Sequence, residues 1–439
     1  MRYLTVIYYD SFARFFAAIE DEVKKLDGSA EFLHLAIFPS GWLLMKRHRR
    51  STRLLPWLVR NASAPTVAAS NEDLDAIVRY HSAIANMGAR GAKPTTAQLR
   101  DRAQRYVNTM AQTAESFDPD VVLFSGDTRV ACESLKFYLD ASGSRAARYF
   151  FEQGPNGTTI LDSQGVNANA SFREELGHLT GAGFSPSSRV KREKSRRNPI
   201  YRGSDYALIR ALRIARRLPP EWDTAALEKL DKGRYEQIVH RGEAMPEVAG
   251  EVLVALQVPD DANNIHHNPL GLSDAQLIQL AIDATADLGL RVRVREHPLY
   301  RRRYTREMYT LLESTERAVL SAGSLDDDLE GARAVVTVNS TTGVDAYLQG
   351  KAVVVLGNAY YDHLPGVLTA SEVKSLRTAI KDATANERVT AQGVLPPAQV
   401  LAEFSSLHLI EGHYFDKELT APAHIAAKIV SELRPELSA

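Results

Sequence analysis

The sequence predicts an α/β protein of two Rossmann-like domains joined by a helical, basic connector. Three observations carry this. Short β-branched or aromatic runs alternate with segments of helical period toward both ends of the chain, the pattern of β-α-β units in a parallel sheet. The 439 residues suit two domains better than one. The polar clusters that stand out all follow predicted strands, where open α/β sheets place their ligands.

Taken in order, 3–9 is an aromatic and β-branched run that predicts a buried strand. A helix follows, with Phe12, Phe15, Phe16, Ile19, Val23 and Leu26 on one face, and 31–38 is the next strand. Residues 41–60 interleave Lys46, Arg47, Arg49, Arg50 and Arg53 with Trp42, Leu43, Leu44, Leu54, Leu55 and Trp57. Such a segment fits either a surface for an anionic lipid or acceptor, or a loop and helix whose aromatics are core. A long helix is expected over 95–117, a strand over 120–124, a helix over 130–139 and a strand over 148–151. The basic stretch 185–203, with Arg189, Lys191, Arg192, Lys194, Arg196, Arg197 and Arg202, predicts a solvated linker. Helical patterns run from about 204 to 239.

A second α/β block has strands over 251–258, 291–295, 334–338 and 352–356 and a helix over 273–288. Helices over 371–380 and 421–433 follow. The expected division is one Rossmann-like domain over 1–205, a helical connector over 206–247 and a second Rossmann-like domain over 248–439, its last helix packing back on the first domain. This is the layout of a modified GT-B arrangement.

Composition narrows the function classes. Hydrophobic residues make up 44% and charged residues 24%, ordinary for a globular protein. The net charge of −1 implies no nucleic-acid partner. Cys132 stands alone, which excludes an internal disulfide and any Cys/His zinc spacing. No apolar run is long enough to cross a membrane, and the start does not read as a secretion signal, so a cytoplasmic location with at most peripheral contact with the inner membrane or with polysaccharide assembly proteins is expected. No GxGxxG follows the first strand, which argues against a dinucleotide-dependent oxidoreductase.

Five clusters sit at predicted strand ends: SGDT at 125–128, FEQGPNG at 151–157 with QGVNANAS at 164–171, LQVPDDANN at 256–264, REHP at 295–298 and VNSTTG at 338–343. Each alone is weak, because carboxylates and hydroxyls also cap helices and turns. Their shared class of position raises the signal.

These clusters resemble the capsule polysaccharide biosynthesis family. FEQG with GVNANAS is similar to its FE(D/E)G and GVN elements, LQVPDD to its Gln-x-x-Asp-Asp element, and REHP to its Lys/Arg-x-His-Pro element. VNSTTGVDAYLQGKAVVVLGNAYYDHLPG is the nearest match. The resemblance covers about 120–170 and 250–366. The family includes retaining β-Kdo transferases, which move Kdo (3-deoxy-manno-octulosonic acid) from CMP-Kdo without a metal or other cofactor.

The resemblance implies roles. Asp261 maps onto the proposed nucleophile, with the adjacent Asp260 as its alternative, and Glu152 would be the general base on the acceptor hydroxyl. Gln153 stands where the family often has a second acid. His297 would contact the CMP phosphate or the Kdo carboxylate. Ser340, Thr341 and Thr342, between a strand and a helix, would hold the phosphate, with Asn339 reading the nucleoside and Arg295 neutralising donor charge. Gln257, Gly154, Asn167 and His267 complete the expected lining. The acceptor is expected to be a polysaccharide or lipid-linked glycan. Two rivals stay open: a GT-B transferase for a UDP or GDP sugar, with Asp345 reading the ribose, and a non-catalytic polysaccharide-binding protein of the export machinery.

Overall fold

A computed structural model of the chain describes residues 1–437 except 63–66, 88–92, 187–191, 216–218, 223–224, 226, 247, 249, 371–372 and 386–395. They form two compact α/β units: one from 1–171, 188–225 and 405–439, the other from 172–187 and 226–404.

The first unit contains strands β1 (Arg2–Ile7), β2 (Glu31–Ala36), β3 (Thr52–Leu54), β4 (Val121–Ser125), β5 (Ala147–Gln153) and β6 (Thr158–Asp162). The second contains β7 (Glu251–Ala255), β8 (Arg291–Arg295), β9 (Ala318–Leu320), β10 (Ala332–Thr337), β11 (Ala352–Val355) and β12 (Val367–Thr369). Strand β13 (Leu409–Glu411) then returns to the first unit.

The first sheet has the order β13-β6-β5-β4-β1-β2-β3. Its β1, β2, β3, β4 and β5 run parallel, β6 is antiparallel to β5, and β13 is antiparallel to β6 and so runs with the rest. The helix Asp10–Leu26 forms because its aromatic and aliphatic residues recur at helical spacing. Lys24 and Lys25 complement its C-terminal dipole. It buries Phe15, Phe16, Ile19 and Val23 in one core with Ile425 and Ile429 of the helix Ala421–Leu433, packed alongside it. Burying each such side chain stabilises the unit by roughly 1.5–3 kcal/mol.

The second sheet is parallel throughout, in the order β12-β11-β10-β7-β8-β9. Its strands β7, β10 and β11 are largely apolar, as burial on both faces requires, while β8 alternates Arg and Val. The helix Asp274–Thr285 starts at a capping box of Ser273 and Gln276 and buries Leu277, Ile278, Ala281 and Ile282 against them.

Several expectations are redrawn. Residues 405–439 complete the first unit instead of extending the second. The helical stretch expected over 204–239 is two helices, Pro199–Ile214 in the first unit and Lys232–Glu243 in the second. Part of the basic stretch is pinned instead of solvated. Arg197 donates to Asp10 at 2.7 Å and Asp205 at 2.8 Å, and Arg192 pairs with Glu411. A guanidinium between two buried carboxylates is too costly to leave unpaired. Arg189, Lys191 and the first two residues of the helix expected at 371 lie outside the described residues.

Candidate active site

In the second unit, β7 leads on one side to β8 and β9 and on the other pairs with β10. The gap between the carboxyl ends of β7 and β10 is therefore the topological switch point, where open α/β sheets bind ligands. Two expected elements meet there. The Gln257 side chain donates to Asn339 Oδ1, and its Oε1 accepts from the Asn339 backbone N–H at 3.3 Å. Asn339 Nδ2 in turn donates to the carbonyls of Asn263 (3.2 Å) and His267 (3.3 Å). These amides fasten the short helix Ala262–His266 to the sheet. Asp261 is the N-cap of that helix, its Oδ1 accepting from Asn263 N–H at 2.8 Å. Asp260 precedes it in the same turn. The carbonyl of the buried His267 also accepts from Asn358 N–H at 2.9 Å.

The end of β8 lies beside this turn. Tyr304 Oη accepts from His297 N–H at 2.9 Å and donates to the Gln257 carbonyl at 2.9 Å, bridging the two strand ends. His297 Nδ1 accepts from Leu299 N–H at 3.4 Å. Nε2 thus carries the proton in the neutral ring. Burial lowers the His297 pKa, and the Asp261 charge opposes that lowering, so the two groups are electrostatic neighbours. Arg295 is held within the unit. It donates to Asp328 at 2.5 Å and to the Gly323 carbonyl at 3.0 Å, while Arg293 and Arg291 pair with Glu251.

Sequence reasoning missed two acids here. Glu296 is buried, accepts from Tyr235 Oη (2.8 Å), Arg302 N–H (3.1 Å) and Tyr309 Oη, and has its pKa raised by burial. Asp274, at the start of its helix, is pushed up to about 7 by burial and by the Glu296 charge. Only the fold brings Asp274 toward β8, so no local pattern could have singled it out.

After β10, Ser340 organises its own turn. Its hydroxyl accepts from Thr342 N–H at 3.3 Å and donates to Thr342 Oγ1 at 3.2 Å, and its carbonyl accepts from Gly343 N–H at 2.9 Å and from Tyr361 Oη. Thr341 is exposed. A Cβ at Gly343 would stand 2.3 Å from Tyr361 Oη, so glycine is what lets that buried ring approach.

The first unit holds Glu152, Gly154 and Asn167. Glu152 lies within β5, not after it: FEQGPNG forms a β-hairpin into β6, with Asn156 and Gly157 at positive φ. A Cβ at Gly154 would meet Thr158 Oγ1 at 2.3 Å. Burial raises the pKa of both Tyr9 and Tyr414, which hydrogen-bond each other, and the Glu152 charge adds to the rise. The Arg197 guanidinium stacks on Tyr9 at 4.2 Å. Asn167, at φ 53°, belongs to a loop gripped by the buried Asp127 of SGDT, which accepts from Val166 N–H (3.0 Å) and Asn169 Nδ2 (2.8 Å). Tyr9 and Tyr414 were also missed, whereas Asp127 lies in the SGDT cluster but had no role assigned. Their contacts join positions far apart in the chain.

Each unit thus places its expected polar residues at or near the carboxyl ends of parallel strands. Within the second unit Gln257, Asp261, His267, His297, Asn339 and Ser340 are joined by direct bonds or shared neighbours. Among the described residues no group of three or more His, Cys, Asp or Glu is placed to hold a metal ion, and no helix is long and apolar enough to cross a membrane.

Two Rossmann-like α/β units with polar turns at their strand ends are the architecture found. Residues 202–397 match the family model described as capsule polysaccharide biosynthesis protein. The match covers less than half of the chain and is to the family that its motifs resemble; the FEQG and GVN elements lie outside the matched stretch. Protein FixF of Sinorhizobium fredii is 26% identical over 187 residues, 41% of this chain and 42% of that protein, so the chain matches less than half of its relative's length. Among solved structures, Thermosulfurimonas dismutans KpsC, a beta Kdo 2,7 transferase, is 13% identical, with 74% of this chain and 89% of that chain covered at a TM-score of 0.38. A glycosyltransferase from Rickettsia africae is 9% identical, with 98% of both chains covered at a TM-score of 0.37. At these scores neither likeness carries an argument.

Proposed function

We propose that the protein is a retaining β-Kdo transferase that moves Kdo from CMP-Kdo to a glycan or lipid-linked acceptor in surface polysaccharide assembly, at the cytoplasmic face and without a metal. The observation that carries this is the Asp261 and His297 pair at the switch point of the segment that matches the capsule family. Asp261 attacks the anomeric carbon, and CMP leaves with the bonding electrons. The acceptor hydroxyl gives its proton to a general base, the role that the family resemblance assigns to Glu152, and displaces Asp261, so two inversions give retention. Asp261 Oδ1 is engaged as a helix cap, which leaves Oδ2 for the attack. The His297 Nε2–H and the Ser340 and Thr341 hydroxyls are the donors for the phosphate and the sugar carboxylate.

Incubation with CMP-Kdo followed by intact mass spectrometry tests the reading. A protein adduct of one Kdo, absent in Asp261→Ala, is expected. Turnover with a UDP or GDP hexose and none with CMP-Kdo would remove it.

A further inference from the structure

The helix Pro199–Ile214 is anchored by one polar residue. Asp205 is its single fully buried side chain, and it accepts from Ser40 N–H (2.8 Å), Ser40 Oγ (2.7 Å) and Arg197 (2.8 Å). Ser40 follows β2, so this grip fixes the helix at the carboxyl edge of the first sheet. The opposite face is exposed and mostly apolar. Ile200 is 80% exposed and Ile214 76%, and Gly203, Ala207 and Ala211 are exposed between them. The steps of three and four residues line them into one stripe. Tyr206, 60% exposed, lies beside it and accepts from the Arg202 guanidinium at 3.2 Å. Arg202 and Arg210 are exposed along the same flank, and Arg196 stands exposed just before the helix. Asp205 is the one acid in the helix, and it is buried and neutralised by Arg197.

An exposed apolar stripe edged by Arg202, Tyr206 and Arg210, in a helix whose one acid is buried, does not suit a face turned to water. It has the chemistry of a helix lying in the headgroup region of an anionic bilayer. We propose that this helix docks the protein on an anionic lipid surface. Ile200 and Ile214 enter the acyl boundary, and Arg196, Arg202 and Arg210 meet lipid phosphates. The neighbouring helix Pro39–Arg47, packed against it, adds the exposed Lys46 and Arg47. The proposal does not depend on the transferase reading.

The test is co-sedimentation of the whole protein with phosphatidylcholine vesicles, with and without phosphatidylglycerol. Binding is expected only to the anionic vesicles, weakening with salt. Arg202→Gln/Arg210→Gln is expected to lower the partition coefficient roughly five-fold per arginine, and Ile200→Ser/Ile214→Ser to abolish binding. Both variants change exposed residues, and unchanged thermal unfolding would confirm their fold. Absence of binding to anionic vesicles, or equal binding by wild type and both variants, would overturn the proposal. So would a concentration-dependent dimer of the wild type that the isoleucine variant abolishes, because a second copy would then cover the stripe.

Discussion

Gln257 and Asn339 hold each other across the switch point of the second sheet, side chain to side chain and side chain to backbone. Asn339 also carries the helix that Asp261 caps. Asn339→Ala removes three side-chain hydrogen bonds and leaves the Gln257 amide without its Asn339 partner, at a cost of about 1–3 kcal/mol. Chemical denaturation should register that loss, and donor turnover should fall further than stability alone explains. Wild-type turnover in Asn339→Ala would show that the clasp does not position Asp261.

The His297 ring should titrate below the ordinary histidine value of 6.5, because burial outweighs the Asp261 charge. Removing that charge in Asp261→Asn should move the titration lower still. NMR of the ring protons reads both. An upward move in Asp261→Asn would mean that the two groups are not electrostatic neighbours. If the neutral ring serves the reaction, activity falls only on the acid side of this titration.

Gly343→Ala should be costly for a methyl group. The new Cβ meets the buried Tyr361 hydroxyl at 2.3 Å and its ring carbons at 2.8 Å. Overpacking of this kind costs about 1–3 kcal/mol. The Tyr361 bond to Ser340 should break as well, loosening the turn after β10. An unchanged melting temperature would refute the close approach.

Glu221 sets a pH dependence on the first unit. It is buried, and its Oε2 accepts from Tyr106. Burial pushes its pKa up to about 7, against the lowering by Tyr106, Arg102 and Arg129. A carboxyl raised in the folded state stabilises below its unfolded value of 4.5 and loses that contribution as pH rises through about 7. The loss is on the order of 3 kcal/mol. Glu221→Gln keeps an acceptor for Tyr106 and cannot ionise. Unfolding free energies at pH 5 and pH 8 should therefore differ less in the variant than in wild type. Equal slopes would place the titration elsewhere.

Much of this architecture was legible in the chain. Parallel strands buried on both faces must be apolar runs, so EVLVA and ARAVVT announce themselves, and the turns after them carry the polar residues that the fold gathers at the switch point. The helix over 421–433 was also legible from its period. What was hidden depends on contacts between distant segments. Glu152 reads as a loop residue because the antiparallel β6 that makes it a strand residue pairs through a hairpin with polar flanks. Arg197 reads as a linker charge until Asp10, far along the chain, is folded beside it. Nothing in the three residues of β13 says that they pair with β6.

That last strand bears on how the protein is made. Residues 172–187 and 226–404 form a unit of their own, and the ribosome delivers all of them before 405–439. The first unit therefore waits for its edge strand and for the helix that buries Ile425 and Ile429 against Phe15 and Phe16 until the second unit has been synthesised. During that interval the flank of β6 and one apolar face of the first core stand open to the cell, the stage at which a nascent chain most needs a chaperone.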